Sequence, residues 1–220
     1  NFATDLTGTN ANGLPGLNDR VIFSANTAGS PTIATTLNAN FNIKDLEFAA
    51  NPSGVTSVSI APGTLTPGIL TLTPTAATDG IDVAAKSGAI TISAPIALGA
   101  NQRWAVDGTG LNGSSLTVSG AINNAIDAFN LEKNGAGILT LSSAASSYSG
   151  TTTVAAGVLQ AGIAQGFSNV SAHVIQAAGI LRLNAFSAAI GSLAGAGTVE
   201  NGGTANAGQH RSLALLSKFA

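Results

Sequence analysis

The chain has 220 residues, of which only 8% are charged and 5% aromatic, with a formal net charge of −2, 27 glycines and no cysteine or methionine. Charge this sparse and this evenly spread leaves no basic footprint for nucleic acid, and the missing cysteine excludes disulfides and thiolate metal sites. With few large rings to fill a spherical interior and far less than the roughly 25% charge of ordinary soluble chains, the surface must be kept wet by hydroxyls and amides.

The opening NFATD shows no basic, apolar and small-residue blocks of a signal peptide, so the chain reads as a mature product or an excised piece. The first strand signal is Val21–Phe23, followed by Leu46–Phe48 and by the pentad GILTL at Gly68–Leu72. GAITI follows from Gly88, then SLTV at Ser115–Val118. GILTL returns unchanged at Gly137–Leu141, and GVLQA from Gly157, GILRL from Gly179 and GTVE from Gly197 complete the series. The mean step is about 22 residues, the size of one turn of a β-solenoid. Within each unit apolar and polar residues alternate, as in Leu139, Thr140, Leu141, which is strand period 2 and not helical period 3.6. Asn12-Gly13, Pro62-Gly63, Asp79-Gly80 and Asn201-Gly202 supply the corners between strands.

These features predict an all-β fold: one β-solenoid domain over residues 1–220, coiled into about ten rungs stacked about 4.8 Å apart, a rod on the order of 50 Å long. The expected core ladder is Leu70, Leu72, Ile90, Ile92, Leu116, Val118, Leu139, Leu141, Leu159, Leu181 and Leu183. A β-sandwich would also have many short strands, but it has no need of near-identical pentads at a steady spacing. A transmembrane helix is excluded because Ser, Thr, Gln, Asn and Gly interrupt every apolar run between Asn134 and Leu181 well short of about 18 residues. An outer-membrane barrel needs aromatic girdles, and the chain has one Trp and one Tyr.

The stretch LEKNGAGILTLSSAASSYSGTTTVAAGVLQAG, residues 131–162, carries the most specific signal. Its Leu131, Lys133, Gly135, Ala136, Gly137, Leu139–Leu141, Tyr148–Gly150, Thr152–Val154 and Ala156–Gln160 resemble the autotransporter-associated β-strand repeat, also called the passenger-associated transport repeat. Looser phrases, GAITISAPIALGANQRWAVDGTG before it and IGSLAGAGTVENGG after it, extend the likeness over roughly residues 85 to 206. The turn after Leu141 departs from the family, with Ser143 and Ala145–Ser147 where Gly and Asn are usual, and residues 207–220 leave the pattern as a cap, a tail or an inter-subunit segment. The resemblance implies a right-handed parallel β-helix in a secreted or surface-displayed bacterial passenger, an adhesin or a structural stalk.

Residues that could carry chemistry are few. Asp45 and Glu47 share a strand face beside Lys44 and read as a solvated outer face, and Asp79 and Asp82 bracket the Gly80 turn. Asp107 in DGTGLNG meets Thr109 and Leu111 where calcium ligands would follow. His173 and His210 stand alone, and the Gly135–Gly137 glycines precede a strand where a phosphate loop would precede a helix. Trp104 and Tyr148 could stack on sugars, although single aromatics at strand ends more often cover a corner of the core. No catalytic, metal or cofactor site is expected. The expected role is a non-enzymatic extracellular or cell-surface structural protein, with an adhesin that binds a glycan or host protein as the alternative and a polysaccharide lyase or hydrolase as the third. The expected partner is a second copy, or further repeats of a longer parent, through ends that include Phe2, Leu213, Leu216 and Phe219. Insertion of this chain into a membrane is not expected.

Overall fold

The computed structural model describes residues 14–24, 32–50, 57–76, 78–108, 114–202 and 212–215. Among these residues are twenty β-strands and no helix. They coil three at a time. The first turn holds β1 (Arg20–Phe23), β2 (Thr32–Leu37) and β3 (Phe41–Ile43), and the second holds β4 (Asp45–Phe48), β5 (Ser57–Pro62) and β6 (Leu70–Leu72). Then come β7 (Ile81–Val83), β8 (Ala89–Ile92) and β9 (Ile96–Leu98), followed by β10 (Gln102–Val106), β11 (Ser115–Val118) and β12 (Ile122–Asn124). The coil goes on through β13 (Leu131–Asn134), β14 (Ile138–Leu141), β15 (Thr152–Ala161), β16 (Ala172–Arg182) and β17 (Ala188–Ile190), and closes with β18 (Ser192–Gly195), β19 (Thr198–Glu200) and β20 (Leu213–Leu215).

Every pairing in the three sheets is parallel, and each strand pairs with its equivalent one turn away. The first face stacks β1, β4, β7, β10, β13, the front of β15, the front of β16 and β18. The second stacks β2, β5, β8, β11, β14, the rear of β15, the rear of β16 and β19. The third holds β3, β6, β9 and β12, with β17 and β20 pairing separately. The result is a parallel β-solenoid of about seven turns.

β15 and β16 run around a corner without a break, so the first two faces are hydrogen-bonded into one 14-stranded sheet. The corner is made by glycine. Gly157 has φ of 67°, and a Cβ there would lie 2.4 Å from the Gly135 carbonyl oxygen of the turn before. Only glycine takes that conformation and that approach together without strain.

Side chains pointing inward form columns. On the second face Ile33, Val58, Ile90, Leu116, Leu139, Leu159, Leu181 and Val199 stand in unbroken register, and Leu116, Leu139, Leu159 and Leu181 are fully buried. Ile60, Ile92, Val118, Leu141 and Ala161 form a second column beside it. Removing each such side chain from water contributes about 1.5–3 kcal/mol. The intervening outward column reads Ser59, Thr91, Thr117, Thr140 and Gln160, hydroxyls and an amide that keep the face hydrated with no charge.

The structure corrects the expected rung count and spacing. From Lys133 to Val154, and from Val154 to Ile175, the step is 21 residues, close to the expected 22, but Leu46 to Ile81 takes 35. Long corners consume chain without adding rungs, which is why about seven turns form and not ten. The two GILTL pentads also occupy different faces: Leu70 and Leu72 lie in the third face against Ile96 and Leu98, while Leu139 and Leu141 lie in the second. A short strand with one buried side reads the same on any face of the coil. Of the remaining ladder residues, Leu183 is 8% exposed just beyond the end of β16. Within the segment 207–220 Leu213–Leu215 continues the coil as β20, with Leu213 half-buried, whereas Phe2, Leu216 and Phe219 lie outside the described residues.

Replacing Leu139 with Asp would place an unpaired charge in the middle of the column and should cost several kcal/mol, enough to abolish the folded state. Leu139→Ala should cost about 2–5 kcal/mol. Circular dichroism with urea titration reads both, and a wild-type midpoint for Leu139→Asp would contradict the assignment of that side chain to the core.

Candidate functional site

Charge is gathered on the outer surface of the first face. Arg20 in β1 reaches across to β4, where its Nε lies 2.5 Å from Asp45 Oδ1 and its Nη1 lies 2.9 Å from Glu47 Oε2. Lys44 Nζ approaches Asp45 at 3.7 Å. One turn on, the Arg103 guanidinium pairs with the Asp79 carboxylate. Register places Asp82 directly beside Glu47 on one side and Ala105 on the other. Two acid pairs that are far apart along the chain therefore share one strip. Asp45 is not the solvated acid expected: it is only 2% exposed, because the Arg20 side chain lies over it. Burial raises the Asp82 carboxyl above its ordinary value, and Asp79, Glu47 and Asp107 add to the shift while Arg20 opposes it. Asp107 itself is exposed after β10, and Thr109 and Leu111 lie outside the described residues. The strip is an alternation of arginines and carboxylates across turns, and among the described residues no group of three His, Cys, Asp or Glu is placed to hold a metal ion.

The aromatic candidates are inside. Trp104 is fully buried in the first-face column, where its Nε1 donates to Gln102 Oε1 at 2.8 Å and Gln102 Nε2 donates to the Leu72 carbonyl at 2.8 Å. Gly80 is required below them, since a Cβ would come within 2.2 Å of Gln102 Oε1. Tyr148 is also fully buried, with its hydroxyl 2.9 Å from Thr152 Oγ1, which in turn lies 2.8 Å from Ser171 Oγ. Ser171 donates to the Gly150 carbonyl at 2.5 Å, so the hydroxyl protons run in one direction, from Tyr148 through Thr152 to Ser171. Neither ring offers a face to a sugar, which corrects the sugar-stacking reading. Burial pushes the Tyr148 phenol up to about 12, with the Thr152 hydrogen bond acting against the shift.

His173 stands in register between Thr152 and Leu193, fully buried, with Phe167 tilted against its ring. Its Nδ1 lies 3.1 Å from the Ser171 carbonyl, which can only accept, so Nδ1 carries the proton. Nε2 is buried without a hydrogen-bond partner. Burial pushes the imidazole down to about 4, against the opposing pull of the Ser171 carbonyl. His210 lies outside the described residues.

The lysine of the 131–162 stretch has a role that its sequence context does not show. Lys133 occupies the same inward column as Trp104 and Val154 and is 1% exposed. Its stem fills the column, and its Nζ donates to three carbonyls: Asn134 and Gly135 at 2.7 Å each, and Ala156 of the next turn at 3.2 Å. Those corner carbonyls face away from the strand ladders, so the ammonium satisfies them and ties two turns together. Gly135, with φ of 75°, opens the corner for it. Burial pushes this ammonium down to about 8, with Asp107 pulling the other way.

Two pH tests follow. The unfolded chain binds a proton at its histidine below about 6.5, whereas folded His173 stays neutral down to about 4. Stability from this group is therefore full above pH 6.5 and lost as pH falls toward 4, and His173→Phe should flatten that part of the denaturation profile. For Lys133, folded about 8 against an unfolded 10.5, the unfolded state holds more protons between those values, so stability should rise with pH across the window and the rise should vanish in Lys133→Met. At neutral pH Lys133→Met should still be destabilised by about 1–3 kcal/mol because the corner carbonyls lose their donor.

Comparison with known proteins gives one match. The family model of the passenger-associated-transport-repeat matches residues 131–161, the segment from β13 to the end of β15 that contains Lys133, the Gly135 corner and Tyr148. No curated protein and no solved structure matches the chain. The repeat is non-catalytic and occurs in the passenger domains of autotransporters. Residues 131–161 are thus a passenger-associated transport repeat, built into a parallel β-solenoid.

Proposed function

We propose that the chain is part of a secreted or surface-displayed bacterial passenger, in which it serves as a non-enzymatic β-solenoid spacer. The observation that carries this reading is the column Ile33–Val199: one ladder runs the length of the coil and passes through the transport repeat at its centre. Such a structure provides length and stiffness from burial alone. Its second face presents Ser59, Thr91, Thr117 and Thr140, which hold water without attracting charged partners.

The juxtaposition of Glu47 and Asp82 is what favours the enzymatic alternative, since paired carboxylates on neighbouring turns can serve as acid and base. Glu47, however, is already engaged by Arg20 at 2.9 Å. The adhesin alternative loses its aromatic platform with Trp104 and Tyr148 buried.

Incubation with pectin, alginate, chitin or peptidoglycan should release no product above a heat-killed control, and a glycan array should show no concentration-dependent binding. Product formation that disappears in both Glu47→Gln and Asp82→Asn would overturn the spacer reading in favour of a carbohydrate-active enzyme. Saturable binding to one glycan class would move it to the adhesin.

A further inference from the structure

The columns of the solenoid stop abruptly at its ends. Leu181 is fully buried, whereas its register partner Val199 is 41% exposed. Ile190 is fully buried, whereas its partner Leu215 is 51% exposed. Both are inward positions that lack a following turn among the described residues. At the opposite end the first turn opens on an apolar hollow lined by Val21, Phe23, Leu37 and Ile43, with Leu14 and Leu17 exposed beside it.

We propose that these two surfaces are the halves of one interface, and that the last turn of one copy docks on the first turn of a second copy, extending the solenoid head to tail. The inference rests on the spacer reading and specifies its partner. The same turn-on-turn contact recurs throughout the chain, and a second copy repeats it with its own first strands. A shift of one turn sets Ile33 of the second copy beside Val199 and Val21 beside Gly195, apolar groups against an apolar side chain and a glycine. On the outer columns Ala34 comes beside Glu200 and Arg20 beside Ala194, so no like charges meet. Strand direction admits only this orientation, because head-to-head docking would oppose antiparallel strands in a coil whose ladders are all parallel. A heterologous contact of this kind does not close, and its product is a filament along the solenoid axis.

The absence of cysteine makes the register directly testable. Single variants Ile33→Cys and Val199→Cys are mixed in equal amounts under mild oxidation. Within one chain these positions lie at opposite ends of the column, about 34 Å apart at 4.8 Å per turn, far beyond the roughly 7 Å that a disulfide can span. The expected result is a mixed disulfide several-fold in excess of either homodimer, growing with concentration, and a ladder of covalent oligomers from the double variant. Ala34→Cys with Glu200→Cys reads the same register from the outside if either inward variant fails to fold. Homodimers in statistical proportion, or no cross-link at the highest concentration, would overturn the proposal. So would a cross-link that forms only after residues 1–13 are removed, because the chain's own segment would then be the occupant of the first turn. A rod-shaped but uncross-linked monomer in negative stain would remove the docking and leave the spacer standing, whereas a globular particle would remove both.

Discussion

The parallel, in-register backbone ladder is the constraint on which the rest of this molecule depends. When each strand bonds to its equivalent one turn away, about 4.8 Å along the axis, the side chain at a given position is forced against the same position above and below it. Inward columns must then be apolar along their length, as Ile33 to Val199 is, and outward columns must be acceptable to themselves, as Ser59, Thr91, Thr117 and Thr140 are. Low charge follows from the same geometry: identical charges stacked at this spacing repel, and the first face carries charge only by setting arginines against carboxylates across turns.

The ladder satisfies backbone groups along the faces and leaves some of them unpaired at the corners, and the buried polar side chains of this protein are placed there. Lys133 donates to three corner carbonyls, Gln102 to that of Leu72, Ser171 to that of Gly150 and Ser168 to that of Tyr148. Ser114 does the same for Ala84 at 2.7 Å. Each donor comes from a turn able to reach its neighbour, so corner satisfaction and turn-to-turn cohesion are one interaction. The transport repeat, which spans Lys133 and Tyr148, reads physically as a recipe for such a corner: a lysine stem in the column, glycines where the backbone must approach closely, and a tyrosine that roofs the next corner.

Much of this was legible from alternation alone. The column through Leu116, Leu139, Leu159 and Leu181 shows in the sequence because the turns there are of nearly equal length. The early turns hid their number because the corner between Phe48 and Ile81 lengthens one turn to 35 residues between Leu46 and Ile81, and a mean spacing cannot reveal a variable loop. The two GILTL copies misled for a different reason: a strand buried on one side has the same local chemistry whichever face it joins, and only the pairing partner tells the faces apart. The Glu47–Asp82 contact and the burial of Asp45 under Arg20 depend on register across turns, for which spacing along the chain gives no signal. Lys133 was visible as a member of the motif, yet its chemistry was not, since a lysine in a polar-looking turn gives no hint that its amine is enclosed.

The central claim is that equivalent residues of successive turns are parallel neighbours. Nuclear Overhauser contacts measured by NMR in a perdeuterated, selectively protonated sample test it most directly. The parallel solenoid predicts contacts linking Leu116 to Leu139 and Leu139 to Leu159 in uninterrupted series, with the spacing of parallel strands throughout. Close Hα–Hα contacts between neighbouring strands, the mark of antiparallel pairing in a sandwich, would contradict it.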